Sequence, residues 1–426
     1  MKTSLRWPLF LFFALGIALC SQVSDAPTAA KTDSHDIEAT ALRKKAEQLN
    51  EAGEPDSALV YAQKGADFSE KTNNWPEWGK SKVQESLALY YQRKFKEALA
   101  SLAPLEQKAK ANILPADEFW GVYYNCAGIV YNAVGDFETA LKYGSQEIAF
   151  YEANGNKKLL ADAYNNISNS YRSKGDFDRA VDYAQSGLQI FLSDTSFSRL
   201  NLAWAYSSLG QIFYRKKDYP QAIAHSQKAL EILQRHFSGK EPFEYIIAFN
   251  DLANAYGELG EYDKALEALQ KALSLHQQHN LERDIEATWH NMGFIYRRMG
   301  KYAEAKMYLL RAQERYQELY GTKHPNIGKA YRHLGFVAHR QGDLRGALAY
   351  YQQSLRTLTD SFPHENVLAN PAVQRVNSYL DFLLTLRDKG EALRQLAKKE
   401  HNSQFLEASL ATYDVAMSLL DTMRAE

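Results

Sequence analysis

Asparagines and arginines, not nucleophiles, are the residues of this sequence whose types and spacing could do chemistry. Asn165 and Asn169, and again Asn250 and Asn254, stand four apart, the spacing that returns a side chain to the same face of a helix. An asparagine amide both donates and accepts, so a strip of them can hold the backbone of an extended peptide. Asparagine is a mediocre helix former, and repeating it on one strip is costly unless something is held there. The stretch from Leu281 to Tyr350 carries 12 Lys/Arg against 7 Asp/Glu, a net of +5, together with His290, His324, His333 and His339. Arginine forks fit carboxylates. The plain alternatives are that the asparagines solvate an exposed face and that the arginines pair with glutamates of neighbouring helices.

Covalent or metal chemistry has little to build on. The sequence holds no HExxH, no paired CxxC, no glycine-rich phosphate loop and no GxSxG elbow. Cys126 sits at a packing-like position without an evident base. His276 and His279 lie three apart near a helix end and could face one metal, but no third ligand is evident. No enzymatic activity, cofactor or metal is expected.

The elements that position these residues come from an internal repeat. Alanines that follow a Gly-acid-aromatic turn or a variant of it recur at Ala58, Ala98, Ala140, Ala180, Ala222, Ala265, Ala305 and Ala347, spaced 40 to 43 residues apart. Twelve residues before six of them stands a small residue: Gly128, Ser168, Gly210, Ala253, Gly293 or Gly335. Three further on comes a large one at Tyr131, Tyr171, Phe213, Tyr256 and Tyr296, with Ala338 the exception. Gly135, Gly175, Gly260, Gly300 and Gly342 then end a helix in the left-handed conformation. Small residues let two antiparallel helices approach, and the aromatic rings fill the space between them.

This grammar resembles the tetratricopeptide repeat from about Ile37 to Leu355, with Trp289 at another of its aromatic positions. The usual repeat is about 34 residues, so the extra residues lengthen the helices by about two turns. "YGTKHPNIGKAYRHLG" (Tyr320–Gly335) is similar to the long repeats of kinesin light chains and of bacterial regulatory and caspase-associated proteins. The resemblance implies an all-α, right-handed α-α superhelix of about eight helix–turn–helix repeats plus degenerate C-terminal helices. It also implies that first helices line a concave, partner-binding groove. Carried over residue by residue, that groove presents Asn125, Ile129 and Asn132, then Asn165, Asn169 and Arg172, then Trp204, Ser207, Gln211 and Arg215. Asn250 and Asn254 follow, then His290, Phe294, Arg297 and Arg298, and finally Lys329, Arg332, Phe336, His339 and Arg340. Acidic residues opposing Arg297, Arg298, Arg332 and Arg340 are expected to be sparse, so these four are expected to converge and stay available to an acidic or carboxylate-terminated protein or peptide.

The two ends carry different signals. Lys2 and Arg6 precede an apolar run, Trp7–Leu19, with the pattern of a secretory signal and too short to span a bilayer. Cleavage after Cys20 is expected, with lipid anchoring at Cys20 the alternative. The protein is therefore expected to be periplasmic, secreted or an outer-surface lipoprotein. With Cys126 the only other cysteine, stability must come from packing. Residues 21–36 read as a flexible tether, 37–111 as two divergent repeats, 112–356 as six regular long ones, and 357–426 as a degenerate helical cap. Within that cap, helices are expected at Val373–Arg387 and Ser403–Met423. "FLLTLRDKGEAL" and "LATYDVAMSLLDTMR" resemble the repeats that precede a caspase-like CHAT domain, implying the recognition half of such an architecture without its catalytic half. Lys plus Arg (50) and Asp plus Glu (51) nearly balance, so no global field recruits nucleic acid or lipid.

Overall fold

The computed structural model of the protein describes residues 34–52, 54–110, 114, 119–194, 197–237, 242–282, 284–359, 362–372, 376 and 378–425. The apolar run Trp7–Leu19, Cys20 and the expected tether up to residue 33 lie outside the described residues. Contacts divide the chain into an N-terminal unit that ends at residue 240 and a C-terminal unit that starts at 241. The N-terminal unit holds α1 (Ser34–Glu51), α2 (Pro55–Lys71), α3 (Trp75–Tyr91), α4 (Phe95–Lys110), α5 (Phe119–Ala133), α6 (Phe137–Asn154), α7 (Lys157–Lys174), α8 (Phe177–Ser193), α9 (Arg199–Arg215) and α10 (Tyr219–Phe237). The C-terminal unit holds α11 (Pro242–Leu259), α12 (Tyr262–Gln278), α13 (Ile285–Arg298), α14 (Tyr302–Tyr320), α15 (Pro325–Arg340), α16 (Leu344–Leu358), α17 (Tyr379–Glu400) and α18 (Ser403–Ala425). Among the described residues there is no strand, only an antiparallel bridge between Thr359 and Val376.

The repeat grammar explains how these helices pair. Odd- and even-numbered helices form hairpins in sequence, and within each unit successive first helices also pack side by side. All eight marker alanines lie in second helices and are at most 2% exposed. The small residue twelve positions earlier faces the alanine's own backbone. A Cβ on Gly210 would lie 3.3 Å from the Ala222 carbonyl oxygen, and one on Gly293 3.2 Å from that of Ala305. Where the small residue is serine, its hydroxyl donates to that same carbonyl, Ser168 to Ala180 at 2.6 Å and Ser86 to Ala98 at 3.0 Å. The large residues stack on rings twelve residues further on, Tyr131 on Tyr143, Tyr171 on Tyr183, Phe213 on His225 and Tyr296 on Tyr308, with centroids 5.2–5.6 Å apart. They are packing positions.

The turns follow the same logic. Gly135, Gly175, Gly260, Gly300 and Gly342 have φ between +76° and +89°. The acid after the turn caps the next helix in four repeats. Asp136, Asp176, Asp218 and Asp343 each accept a hydrogen bond from the backbone N–H three residues on.

The C-terminal cap departs from expectation. Instead of Val373–Arg387, the helix runs Tyr379–Glu400. Its start is delayed because Val376 is held against Thr359 and Ser378 caps it from the Asp381 N–H. It continues because Gly390 is a packing residue, not a stop. A Cβ there would meet the Tyr413 ring at 2.8 Å, and the Ser409 hydroxyl donates to its carbonyl. The outer face of α18 leaves Leu406, Leu410 and Met417 exposed. At the other end α1 begins at Ser34, inside the expected tether.

Candidate functional site

The first helices of the N-terminal unit carry amides, and the structure divides them into two groups. Asn125 is 4% exposed and donates to Glu147 of α6 at 3.0 Å, and Asn166 reaches the same carboxylate oxygen at 3.4 Å. Burial pushes the Glu147 carboxyl up to about 8 against the lowering effect of these two amides. Asn125 therefore serves the interior of its repeat, a correction to its expected place on a ligand-facing strip. Ile129, Asn169 and Ser207 are also buried, and Asn132 is buried with its Nδ2 3.5 Å from Ser173 Oγ. Arg172 donates to Gln211 at 2.7 Å, and Arg215 is exposed. Asn165 and Trp204 are half-buried, and their Oδ1 and Nε1 atoms have no partner.

The C-terminal unit carries cations and imidazoles instead. Asn250 of α11 spends its amide on the Ile246 carbonyl, on Thr288 at 2.9 Å and on Asn291 at 2.8 Å. The buried His276 ring meets Thr288 at 3.3 Å and the Leu281 carbonyl at 2.8 Å. Both of its nitrogens are thus engaged. Asn254 is half-buried. Among the described residues no group of three or more His, Cys, Asp or Glu could hold a metal. Cys126 is 1% exposed, and burial pushes its thiol up to about 12, far from a reactive thiolate.

Between α13, α15, α16 and α17 a basic cluster forms. His290 stacks on His333 at 5.1 Å, and Phe294 lies 5.7 Å from His333. Arg297 sits between the Phe294 and Phe336 rings, 5.0 and 4.5 Å from their centroids. Arg332 is 9% exposed and donates to His333 Nε2 at 3.1 Å. That bond leaves the proton of the neutral ring on Nδ1. Six polar atoms here have no hydrogen-bond partner: His290 Nε2, the acceptor Asp388 Oδ2, and a set of four, Arg297 Nε, Arg332 Nε, His333 Nδ1 and Tyr351 Oη. All four can donate. Burial, then Arg332 and Arg298, pull Arg297 down to about 10. Burial first, then neighbouring cations that include Lys329, hold His290 and His333 well below the ordinary histidine value.

The structure also corrects the expected lack of acids. Arg332 lies 3.6 Å from Asp388 and 3.8 Å from Asp381, both on α17, and Arg387 also binds Asp388. The four arginines do not share one environment. Arg298 and Arg340 are exposed and donate to the hydroxyls of Tyr262 and Tyr302 on second helices, at 3.3 and 3.2 Å. Lys329 is half-buried on α15, and His339 meets Gln395 at 2.9 Å. Sequence reasoning missed Glu147, Asp162, Asn201, Tyr351, Asp381 and Asp388. Asp162 and Asn201 left a signal, each three residues before a groove position, Asn165 and Trp204, on the same helix face.

Comparison with known proteins supports the architecture. The sequence model for "Tetratricopeptide repeat" matches residues 121–193, 200–278 and 284–360. No curated protein matches the sequence. Among solved structures, the apo form of the quorum sensor NprR from B. thuringiensis is 18% identical, with a TM-score of 0.60 over 77% of this chain and 89% of that one. A Rap protein complexed with competence and sporulation factor is 16% identical, with a TM-score of 0.57 over 90% and 99%. The nearly identical TPR-like repeats of a "putative kinesin light chain" from Podosopora anserina are 16% identical over 47% and 95%, with a TM-score of 0.39. At these identities the likeness to NprR and to the Rap protein is one of fold. Among the described residues no helix is long and apolar enough to cross a membrane.

Proposed function

This chain belongs to the tetratricopeptide repeat family, and from that premise we propose that it is an exported, non-catalytic scaffold or adaptor that holds an extended peptide or partner protein on its first-helix face. The acidic part of that partner, a side-chain or C-terminal carboxylate, docks on the cluster around Arg297 and Arg332. The observation that carries this reading is the set of unpartnered donors, Arg297 Nε, Arg332 Nε, His333 Nδ1 and Tyr351 Oη. A buried donor without an acceptor is costly to a fold, and a carboxylate supplies forked acceptors to guanidinium groups. A rigid, preformed helical surface keeps the ordering cost on the protein side small. The complex of the structurally similar Rap protein with competence and sporulation factor is in keeping with this reading.

The test is retention of a random-sequence short peptide mixture on the immobilised protein, with C-terminal carboxylates free or amidated. The free form should be retained more, and Arg297→Gln should lower that retention by roughly tenfold, the worth of one hydrogen bond to a charged group. Equal retention of both forms by both proteins would sink the carboxylate part of the reading. The rival function is the sensory arm of a CHAT system, supported by the α17–α18 segments. It stands or falls on whether a caspase-like protein is activated by this chain in a reconstituted cleavage assay. Export is checked by sequencing the N-terminus of protein from the native host, expected near Ser21 or at a lipidated Cys20.

A further inference from the structure

Two second helices of the C-terminal unit, α16 and α18, carry the same apolar pattern but not the same cover. Gly335 of α15 lies against the Tyr351 ring of α16, where a Cβ would meet it at 2.5 Å. Gly390 of α17 lies in the same way against the Tyr413 ring of α18, at 2.8 Å. These contacts set α16 and α18 in register, 62 residues apart. The register holds on the inner seam: Ala347, Ser354 and Thr357 are buried, and so are Ser409, Ala416 and Leu419. It breaks on the outer seam, where residues alternate four and three apart. Leu344, Leu348, Tyr351, Leu355 and Leu358 are at most 8% exposed. Their counterparts are Leu406, Leu410, Tyr413, Met417 and Leu420. Of these, Leu406, Leu410 and Met417 are 47–58% exposed, and Tyr413 and Leu420 are half-buried. The difference is α17, whose Phe382, Leu386, Leu393 and Leu396 cluster with the outer seam of α16. Among the described residues no helix does this for α18.

The polar residues that flank the seam of α16 reach across to its cover. Arg345 donates to Glu400 of α17 at 2.7 Å, and Gln352 accepts from Lys389 at 2.9 Å. On α18 the counterparts of Arg345 and Gln352 are Glu407 and Asp414, both exposed. We propose that the outer seam of α18 docks an amphipathic helix of another protein, laid on it as α17 lies on α16. Its apolar residues follow the spacing of Phe382, Leu386, Leu393 and Leu396, so that Leu406, Leu410 and Met417 leave water. Cations stand at the places of Lys389 and Glu400, facing Asp414 and Glu407. An acid at the second place, as α17 itself has, would meet Glu407 with like charge. A second copy of this chain fits less well. Its α17 is already packed between α16 and α18, and its α18 would set acids against acids along the flank. The surface is separate from the first-helix face, so this inference does not rest on the peptide-binding reading above.

The probe is a fluorescent amphipathic peptide of the length of α17, 22 residues, with phenylalanine and leucine at that spacing and lysine at the two charged places. A second peptide carries glutamate at both. Anisotropy against the full chain should show the lysine peptide bound roughly tenfold more tightly, since like charges oppose the other. Leu410→Gln together with Met417→Gln, both at exposed sites, should abolish binding while helicity holds. Asp414→Lys should weaken the lysine peptide and strengthen the glutamate peptide. Equal binding of the two peptides, binding of neither, or binding that survives the double glutamine variant would each overturn the proposal. A full-chain dimer in sedimentation that the same variant dissolves would overturn it too, and make a second copy the occupant.

Discussion

The two units repeat one packing grammar and enclose different sets of ionisable groups. In both, the marker alanines are almost fully enclosed, and glycine, alanine or serine stands twelve residues earlier. Three residues before that small residue, on the first helix, the N-terminal unit has Asn125, Asn165 and Ser207. The C-terminal unit has Asn250, His290 and Arg332 at the corresponding positions. Around them, one unit encloses the Glu147 and Asp162 carboxyls, while the other encloses Arg297, Arg332, His290, His333 and Lys389 together with a single unpartnered carboxyl, Glu286. The lesson is that helix-to-helix contact fixes one set of positions and leaves the first-helix face free to change charge. Recognition can then differ along a single fold.

The sharpest way to break this comparison is to remove one buried charge from each unit. Arg332 faces Asp381 and Asp388, so Arg332→Ala leaves Asp381 without its cation and Asp388 with only the exposed Arg387, and should cost about 3–5 kcal/mol. Asp162 has no such partner, so Asp162→Asn should cost nothing or stabilise slightly at neutral pH. Chemical denaturation of the two variants measures both. Equal losses would mean that both charges are structural and that the contrast between the units is false.

A smaller effect tests the part the units share. Ala180→Trp in one and Ala305→Trp in the other should each overpack a helix contact and lose about 1–3 kcal/mol. Similar losses confirm one grammar. A variant that melts with its parent would show that its alanine does not sit at the contact.

Much of this architecture is legible in the amino-acid sequence, because packing contacts in a repeat are local. The alanine, the small residue and the ring all fall within one hairpin, so a single spacing exposes them. The site is legible only in part. Arg297 and Arg332 follow from the groove register, but Asp381 and Asp388 belong to α17, where the register has faded and no spacing links them to α15. Asn125 looks like a ligand-facing amide because its partner, Glu147, lies on the second helix, outside the first-helix positions that the register picks out. The bounds of α17 are hard to read because a glycine packed under Tyr413 has the same letter as one that ends a helix.

The buried charges also predict opposite pH responses, on the order of 1 kcal/mol. Glu147 and Asp162 are raised in the folded state to about 8. Their contribution is intact below the ordinary carboxyl range and is lost as pH climbs toward 8. His290 and His333 are lowered, so their contribution is intact above the ordinary histidine value and is lost as pH falls through their folded values. Lys389, pulled down to about 7 by burial, adds stability as pH rises above 7. Glu286, pushed up to about 7 by burial, opposes this trend within the C-terminal unit. Hydrogen exchange, corrected for intrinsic rates, should show α7 loosening and α15 tightening between pH 5 and pH 8. Glu147→Gln should flatten the first trend and leave the second. Parallel slopes in the two helices would remove the electrostatic distinction.

The smallest effect separates arginines that look alike in sequence. Arg340 is exposed and its guanidinium rests on the Tyr302 hydroxyl, whereas Arg297 lies between two phenylalanine rings with Nε unpartnered. Exposed contacts of the first kind contribute within ±0.5 kcal/mol, and salt screens them beyond about 8–10 Å. Arg340→Ala should therefore leave the melting curve and the retention of free-carboxylate peptides within error. Arg297→Gln should cut that retention while leaving helicity intact. Arg297→Lys sharpens the point, because lysine keeps the charge but has no fork to present to a carboxylate. If the lysine variant retains peptides as well as the parent, charge alone is recognised and the unpartnered Nε plays no part. If Arg340→Ala weakens retention as much as Arg297→Gln, the exposed arginines belong to the site and burial is not what selects it.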